Sequence, residues 1–252
     1  MNDEPTGIFM NKADQVASHL LDRIVELNLH PGSSFGTEAE LLEQYKVSRP
    51  TLRESLRILE SQGVLTRRPG PKGGIMVAKP SIDTLAHSLS VFLRLHNVPF
   101  VEILRARMAI EPALVRDAAR HGTDEQFAEM DETTDRLEKA GKNGEIVYRE
   151  NRAFHNLIAK AAANPVLEVF WSTIRALASG EGAGLTYSQR NIAEIASFHR
   201  QIVEACRRRD PEQAHHLMIE HLGELDVLLR TRHKDQLARP MRIAAKADRK
   251  IV

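Results

Sequence analysis

Cysteine is almost absent: Cys206 is the one thiol in 252 residues. A lone cysteine excludes an internal disulfide framework and fits a reducing compartment. Aromatic residues are scarce, at 5%, while Leu, Ala, Glu and Arg recur throughout, which favours helices over sheets. No apolar run approaches the roughly 18 residues of a membrane span. Residues 1–15, MNDEPTGIFMNKADQ, lack the basic start and apolar stretch of a signal peptide. An excess of one charge is lacking too: 35 Lys and Arg face 34 Asp and Glu, a formal net charge of +1. Taken whole, that balance speaks against a polycationic nucleic-acid binder and excludes an acidic solvating tail. What is present is a chain with 42% hydrophobic residues, ordinary for a protein with a core. It is long enough for two domains at roughly 100–200 residues each. These properties predict a soluble, cytoplasmic, mainly α protein with no membrane segment.

The neutral total hides a strong unevenness. From Lys46 to Lys79 eight cations stand against Glu54 and Glu60 alone. From Arg230 onward eight more stand against Asp235 and Asp248. The rest of the chain is acidic on balance, so two cationic patches are averaged away.

The first part reads as three helices and a small hairpin. Val16, Leu20, Ile24 and Leu27 recur at helical spacing over residues 13–27, and Pro31-Gly32 closes that element. Thr37 with Glu40 makes a capping box for a short second helix carrying Leu41 and Leu42. Ser48 caps a third helix, Arg49 to Gln62, with Leu52, Leu56 and Leu59 on one face; Pro50 is compatible because it falls in the first turn. Val64 to Arg67 and Gly74 to Val77 read as strands around the turn Pro69 to Gly73. Lys79-Pro80-Ser81 is the expected boundary, giving a winged helix-turn-helix domain over 1–79. Helical patterns follow at about 82–95, 99–120, 123–140, 144–163, 166–179, 188–209 and 211–233, an all-α bundle over 80–239. Residues 240–252 read as a basic, loose tail.

Two helices joined by a tight turn at Lys46-Val47 form a helix-turn-helix. Burial of Leu52, Leu56 and Leu59 leaves Arg49, Arg53 and Arg57 on other faces of the third helix. Such a helix fits the major groove, where Arg reaches base edges or phosphates. Ser48 and Thr51 add hydroxyl groups at the helix N-terminus, and Arg67, Arg68 and Lys72 add cations on the wing. The plain alternative is a solvated arginine stripe, with Arg57 paired to Glu54, Glu60 or Ser61.

The helical half holds most of the 11 histidines. His155, His199 and His221 fall on three different helices, and Asn151 precedes His155 by one turn on the same face. Metal sites in bundles are built from facing helices in this way, and three imidazoles suit Zn, Ni or a similar first-row ion. Equally, His155 can be a core histidine beside Phe154. Arg107 and Glu111, at i and i+4, read either as a structural pair or as a clamp in which Arg107 holds a ligand carboxylate. Trp171 and Phe170 read as core or cavity lining, Cys206 as structural, and His121, His215 and His216 as surface. The GEGAG loop over 180–184 is no phosphate loop, since no strand precedes it and no Lys-Ser/Thr follows. No His-Glu-x-x-His or Gly-x-Ser-x-Gly arrangement is present, so the chain is not expected to be an enzyme.

The run PGSSFGTEAELLEQYKVSRPTLRESLRILESQGVLTRRPGPKGGIMV resembles the winged helix-turn-helix of GntR-type bacterial repressors. The likeness rests on Pro31-Gly32, Val47-Ser48-Arg49, Leu52-Arg53-Glu54 and Gly63-Val64-Leu65. It implies operator contacts at Arg49, Arg53 and Gly70, with Ser48 and Thr51 nearby. Ala39 stands where the family often has Arg, so one expected contact is missing. The stretches EILRARMAIEPALVRDAA, ENRAFHNLIAKAAANPVLEVF and SFHRQIVEACRRRDPEQAHHLMIEHL resemble the ligand-sensing (FCD-type) domain of the FadR branch. Its metal-binding members carry Asp-x-x-x-His on one helix and a His on each of two later helices. The matching positions are Asn151, His155, His199 and His221, with a neutral amide in place of the Asp. A carboxamide oxygen is a poorer ligand for a dication than a carboxylate. Together the resemblances imply a homodimeric repressor on a palindromic operator, released by a small organic acid that bridges the metal and Arg107. Two rivals stand beside it: a regulator with a metal-free sensing domain for a larger acyl or sugar-acid ligand, and a three-histidine metalloenzyme.

Overall fold

The structure is a computed structural model; it describes residues 11–70, 73–141, 143–178 and 187–232. The chain divides into two compact units between Thr84 and Leu85. The expected tail over 240–252, the GEGAG loop and the wing residue Lys72 lie outside the described residues.

The first unit opens with helix α1 (Lys12–Glu26). The Asn11 side chain accepts from the amides of Ala13 and Asp14, and Asp14 accepts from the Asn11 amide, so the first-turn donors are satisfied locally. Helices α2 (Glu38–Tyr45) and α3 (Arg49–Ser61) follow, with strands β1 (Ser34–Gly36), β2 (Leu65–Arg68) and β3 (Gly74–Val77). Thr37 and Glu40 form the capping box of α2, and Lys46 at φ 50° reverses the chain before α3. The apolar faces of α1, α2 and α3 meet β2 and β3 in one core of Val16, Leu20, Leu41, Leu52, Leu56 and Leu59 with Leu65, Ile75 and Val77. Ser55 adds a buried tie, its Oγ donating to Ala13 O at 2.9 Å. Leu27, grouped by period with the buried face, is a half-exposed cap residue instead.

The sheet is antiparallel, in the order β1-β3-β2. Leu65 pairs with Val77 and Arg68 with Gly74. β1 was not expected. Its three residues include a glycine at φ 112° and show no alternation; they become a strand only by pairing with β3, with a bulge between Ser34 and Gly36.

Helix α4 (Ile82–Leu95) spans the division between the units. The second unit continues with α5 (Phe100–His121), α6 (Asp124–Lys139), α7 (Gly144–Ala161), α8 (Pro165–Ala178), α9 (Gln189–Arg207) and α10 (Pro211–Arg232). α5 packs against α7, α8, α9 and α10, and α6 packs against α7 and α9. The main core holds Val115, Phe127, Met130, Phe154, Trp171 and Met218. Phe170, read as core or lining, is 56% exposed, because α8 turns Trp171 inward and its neighbour falls on the other side. Arg209, at φ 56° in the α9–α10 turn, donates to the carbonyls of Ala119 and Gly122 and lies over the Phe127 ring. It thereby supplies partners for carbonyls that the end of α5 leaves open.

Among the described residues, no helix is long and apolar enough to cross a membrane.

Candidate functional site

In the first unit, α3 packs its leucine face against α1, α2 and β2 and leaves its polar face exposed. Ser48 caps it: its Oγ accepts from the Thr51 amide and lies 2.7 Å from Thr51 Oγ1. Arg49, Arg53 and Arg57 are exposed. Arg49 has no ion-pair partner among the described residues. Arg57 lies 3.7 Å from Glu54, in keeping with the plainer reading of that residue. Arg53 Nε donates to Glu38 Oε1 at 2.8 Å, and Arg67 Nε donates to Glu60 Oε1 at 2.6 Å. Gly70 sits exposed on the wing at φ 110°, a backbone region that favours glycine, with nothing within 4 Å of a would-be Cβ. At Gly70 the backbone itself is therefore open to a close approach by another surface.

In the second unit, α7, α9 and α10 carry His155, His199 and His221 into one buried cluster. Each offers a nitrogen, and these nitrogens lie within 4.8 Å of one another. All three rings are at most 4% exposed. His155 Nε2 and His221 Nε2 are 3.4 Å apart. His199 stacks on Phe154, with ring centroids 3.6 Å apart. Both His199 ring nitrogens and Asn151 Oδ1 are buried without a hydrogen-bond partner. Buried polar atoms of this kind are costly unless something satisfies them. Burial and the neighbouring imidazoles pull His199 well below its ordinary value of 6.5, and burial with His155 pulls His221 down to about 3. Both are therefore neutral at pH 7, the ligand form of histidine.

A fifth residue completes the arrangement. Glu111 on α5 places Oε2 against His155 Nδ1 and accepts from Arg107 Nε through Oε1 at 2.7 Å. Burial pushes the Glu111 carboxyl up, but Arg107 and His155 beside it outweigh that and hold it down to about 2. With the carboxylate accepting at Nδ1, the His155 ring turns its Nε2 toward the cluster, 3.4 Å from His221 Nε2. An acid behind a ligating histidine is a recurring feature of metal centres. Sequence reading named Glu111 only as a partner for Arg107. A glutamate between Ile110 and Pro112, inside an apolar stretch, was the available signal: such a residue must be buried, and so must be paired.

Asn151 and His221 also line a cavity of about 290 Å³, together with Ser188, Arg190, Asn191, Glu194 and Phe198 among others. Of the three imidazoles His221 lines this cavity, which lies between the first half of α9 and the second half of α10. Arg107 is not among its lining residues. It lines instead a separate, much smaller pocket with Leu104, Met108 and Leu225, and its guanidinium lies 5.4 Å from the Trp171 ring centre.

A winged helix-turn-helix followed by an all-helical unit with a buried polar centre defines a class: bacterial transcription regulators with a separate sensing domain. The model for "Bacterial regulatory proteins, gntR family" matches residues 12–77, and that for the FCD domain matches residues 102–224. The chain is 34% identical over 212 residues to the HTH-type transcriptional regulator YcbG of Bacillus subtilis, covering 82% of this chain and 87% of the relative. It is 26% identical over 227 residues to the HTH-type transcriptional repressor NanR of Escherichia coli, covering 84% and 82%. A solved GntR structure from Streptococcus agalactiae superposes with a TM-score of 0.65 at 23% identity, over 86% of this chain and 99% of the other. The chain belongs to the GntR family: it is a DNA-binding transcription regulator with an N-terminal GntR domain and a C-terminal FCD domain.

Proposed function

We propose that the protein is a repressor that binds a palindromic operator as a homodimer and is released by a small organic acid bound in its helical domain. One recognition helix reads only a few base pairs, so a symmetric pair reading two half-sites is the economical arrangement. Ser48, Arg49, Thr51, Arg53, Arg67 and Gly70 form the contact set. The first four lie at the N-terminal end of α3, where base edges and phosphates are within reach, and the last two on the wing.

The observation that carries the sensing half is the cluster of three buried imidazoles, two of them held neutral, with an unpartnered Asn151 oxygen one turn before His155 and a cavity that Asn151 and His221 both line. Zn, Ni or a similar divalent ion fits that donor set, with His155, His199 and His221 as nitrogen ligands and Asn151 as an oxygen ligand. When bound, the ion offers a coordination position to a carboxylate. The cavity gives such an acid access to the ion; Arg107 lies outside its lining and reaches the acid only when the guanidinium donors that Glu111 does not take turn toward it. Release then requires that the acid bind the DNA-incompetent state more tightly.

The test is elemental mass spectrometry on the purified protein and its His199→Ala variant, followed by gel-shift titration with a panel of di- and hydroxy-acids. The expected result is stoichiometric first-row metal in the wild type, loss of it in the variant, and acid-dependent release of DNA in the wild type alone. No metal in the wild type, or equal metal in both, removes the metal centre. An acid that tightens DNA binding reverses the sign of regulation.

A further inference from the structure

Among the described residues, two carboxylates pair with arginines of the proposed contact set: Glu38 and Glu60. Glu38 is the first residue of α2, half-buried beneath the arginines at 24% side-chain exposure. A carboxylate is favourable there, in the first turn of a helix. Its Oε1 accepts from Arg53 Nε at 2.8 Å, and its Oε2 lies 3.9 Å from Arg67 Nη1. Glu60 holds Arg67 from the other side. A chain of alternating charge thus runs from the recognition helix, through the start of α2, to the wing.

The geometry has two consequences for DNA. The Nε edge of Arg53 is taken by Glu38, which leaves the two terminal nitrogens to project outward. Paired donors of this kind are what a guanine reads through O6 and N7. Meanwhile a negative charge beneath the arginines opposes every phosphate equally, whatever the sequence. We propose that Glu38 is a specificity-determining positioning residue: it holds Arg53 in one orientation for base readout and weakens contacts made to phosphate alone. Glu38 trades affinity for discrimination, since specificity is a difference between two affinities. This inference rests on Arg53 being a DNA contact, and the experiment separates the two.

Full-length wild type, Glu38→Gln, Arg53→Ala and the double variant are each used to select from duplexes with a randomised centre. Each is also titrated with a mixed-sequence duplex across a series of salt concentrations. For Glu38→Gln the expected result is mixed-sequence binding tighter by roughly 3- to 10-fold at low salt, with relaxed base preference at one position per half-site. In the Arg53→Ala background Glu38→Gln relaxes the selection no further. Unchanged selection by Glu38→Gln, or an equal loss on selected and mixed DNA, overturns the proposal; so does full persistence of its effect without Arg53. If Arg53→Ala relaxes selection and Glu38→Gln does not, only the role of Glu38 falls. If Arg53→Ala selects and binds as wild type, Arg53 is no contact and both readings fall. Should Glu38→Gln melt below the assay temperature, Glu38→Asp takes its place. That variant keeps the charge but shortens the reach, and it is expected to relax selection without tightening mixed-sequence binding; unchanged selection overturns the proposal.

Discussion

Glu111 serves two partners with one carboxylate. It meets His155 at Nδ1 and neutralises Arg107, and both contacts are buried. Glu111→Gln keeps the size but removes the charge, which leaves Arg107 uncompensated. Removing one partner of a buried pair costs about 3–5 kcal/mol, and loss of support behind a ligating histidine costs roughly 10–100-fold in metal affinity. Urea melts and competition with a chelator measure the two effects separately; a variant with wild-type metal affinity would show that His155 needs no support. Arg49 and Arg57 offer a contrast on the DNA side. Arg49 is exposed without an ion-pair partner among the described residues, whereas Arg57 faces Glu54. Arg49→Ala is expected to lower the salt dependence of DNA binding by about one phosphate contact, and Arg57→Ala to leave it unchanged.

At the scale of the element, α3 joins a buried leucine stripe to an exposed arginine stripe, so its folding and its reading of DNA stand together. Leu56 is fully buried in the core it shares with α1. Leu56→Ala leaves a cavity at a cost of about 2–5 kcal/mol, and is expected to abolish DNA binding while metal binding in the FCD domain persists. Anisotropy and elemental analysis on the same sample check both. The helices were legible in the sequence nearly to their ends because their limits are written locally. Thr37 with Glu40, Ser48 before Arg49, and Thr123 before Asp124 are caps that act within one turn. β1 was not legible, since Ser34–Gly36 gain their partners from β3, far along the chain. The same division holds at the site. Three histidines on three helices could be picked out by period and resemblance. The contact between Glu111 on α5 and His155 on α7 exists only after the helices pack, and no spacing announces it.

At the scale of the whole molecule, a net charge of +1 conceals a sensing domain whose stability depends on pH. His199 and His221 stay neutral in the folded protein well below 6.5, whereas in the unfolded chain they take up protons near that value. Between about 6.5 and about 3 the unfolded state binds more protons, so the stability of the metal-free protein rises with pH across that window. Glu111, held down to about 2 against an ordinary 4.5, adds stability that is present above about 4.5 and lost as the pH falls toward 2. Both effects run the same way. Urea melts of chelated protein are expected to show declining stability from pH 7 to pH 5, and a flat profile would contradict the buried neutral imidazoles.

Cys206 lies in the same core as Phe154, Trp171 and Met218, fully buried, and burial pushes its thiol up to about 12. A thiol so placed is inert while the core is closed and reactive once it opens. The chain therefore carries an internal clock: the rate at which a maleimide adds to this one sulfur counts openings of the sensing domain. Anything that binds only the closed form slows that clock by mass action. Ions and acids can thus be ranked on the wild-type sequence by weighing the adduct, without a known operator.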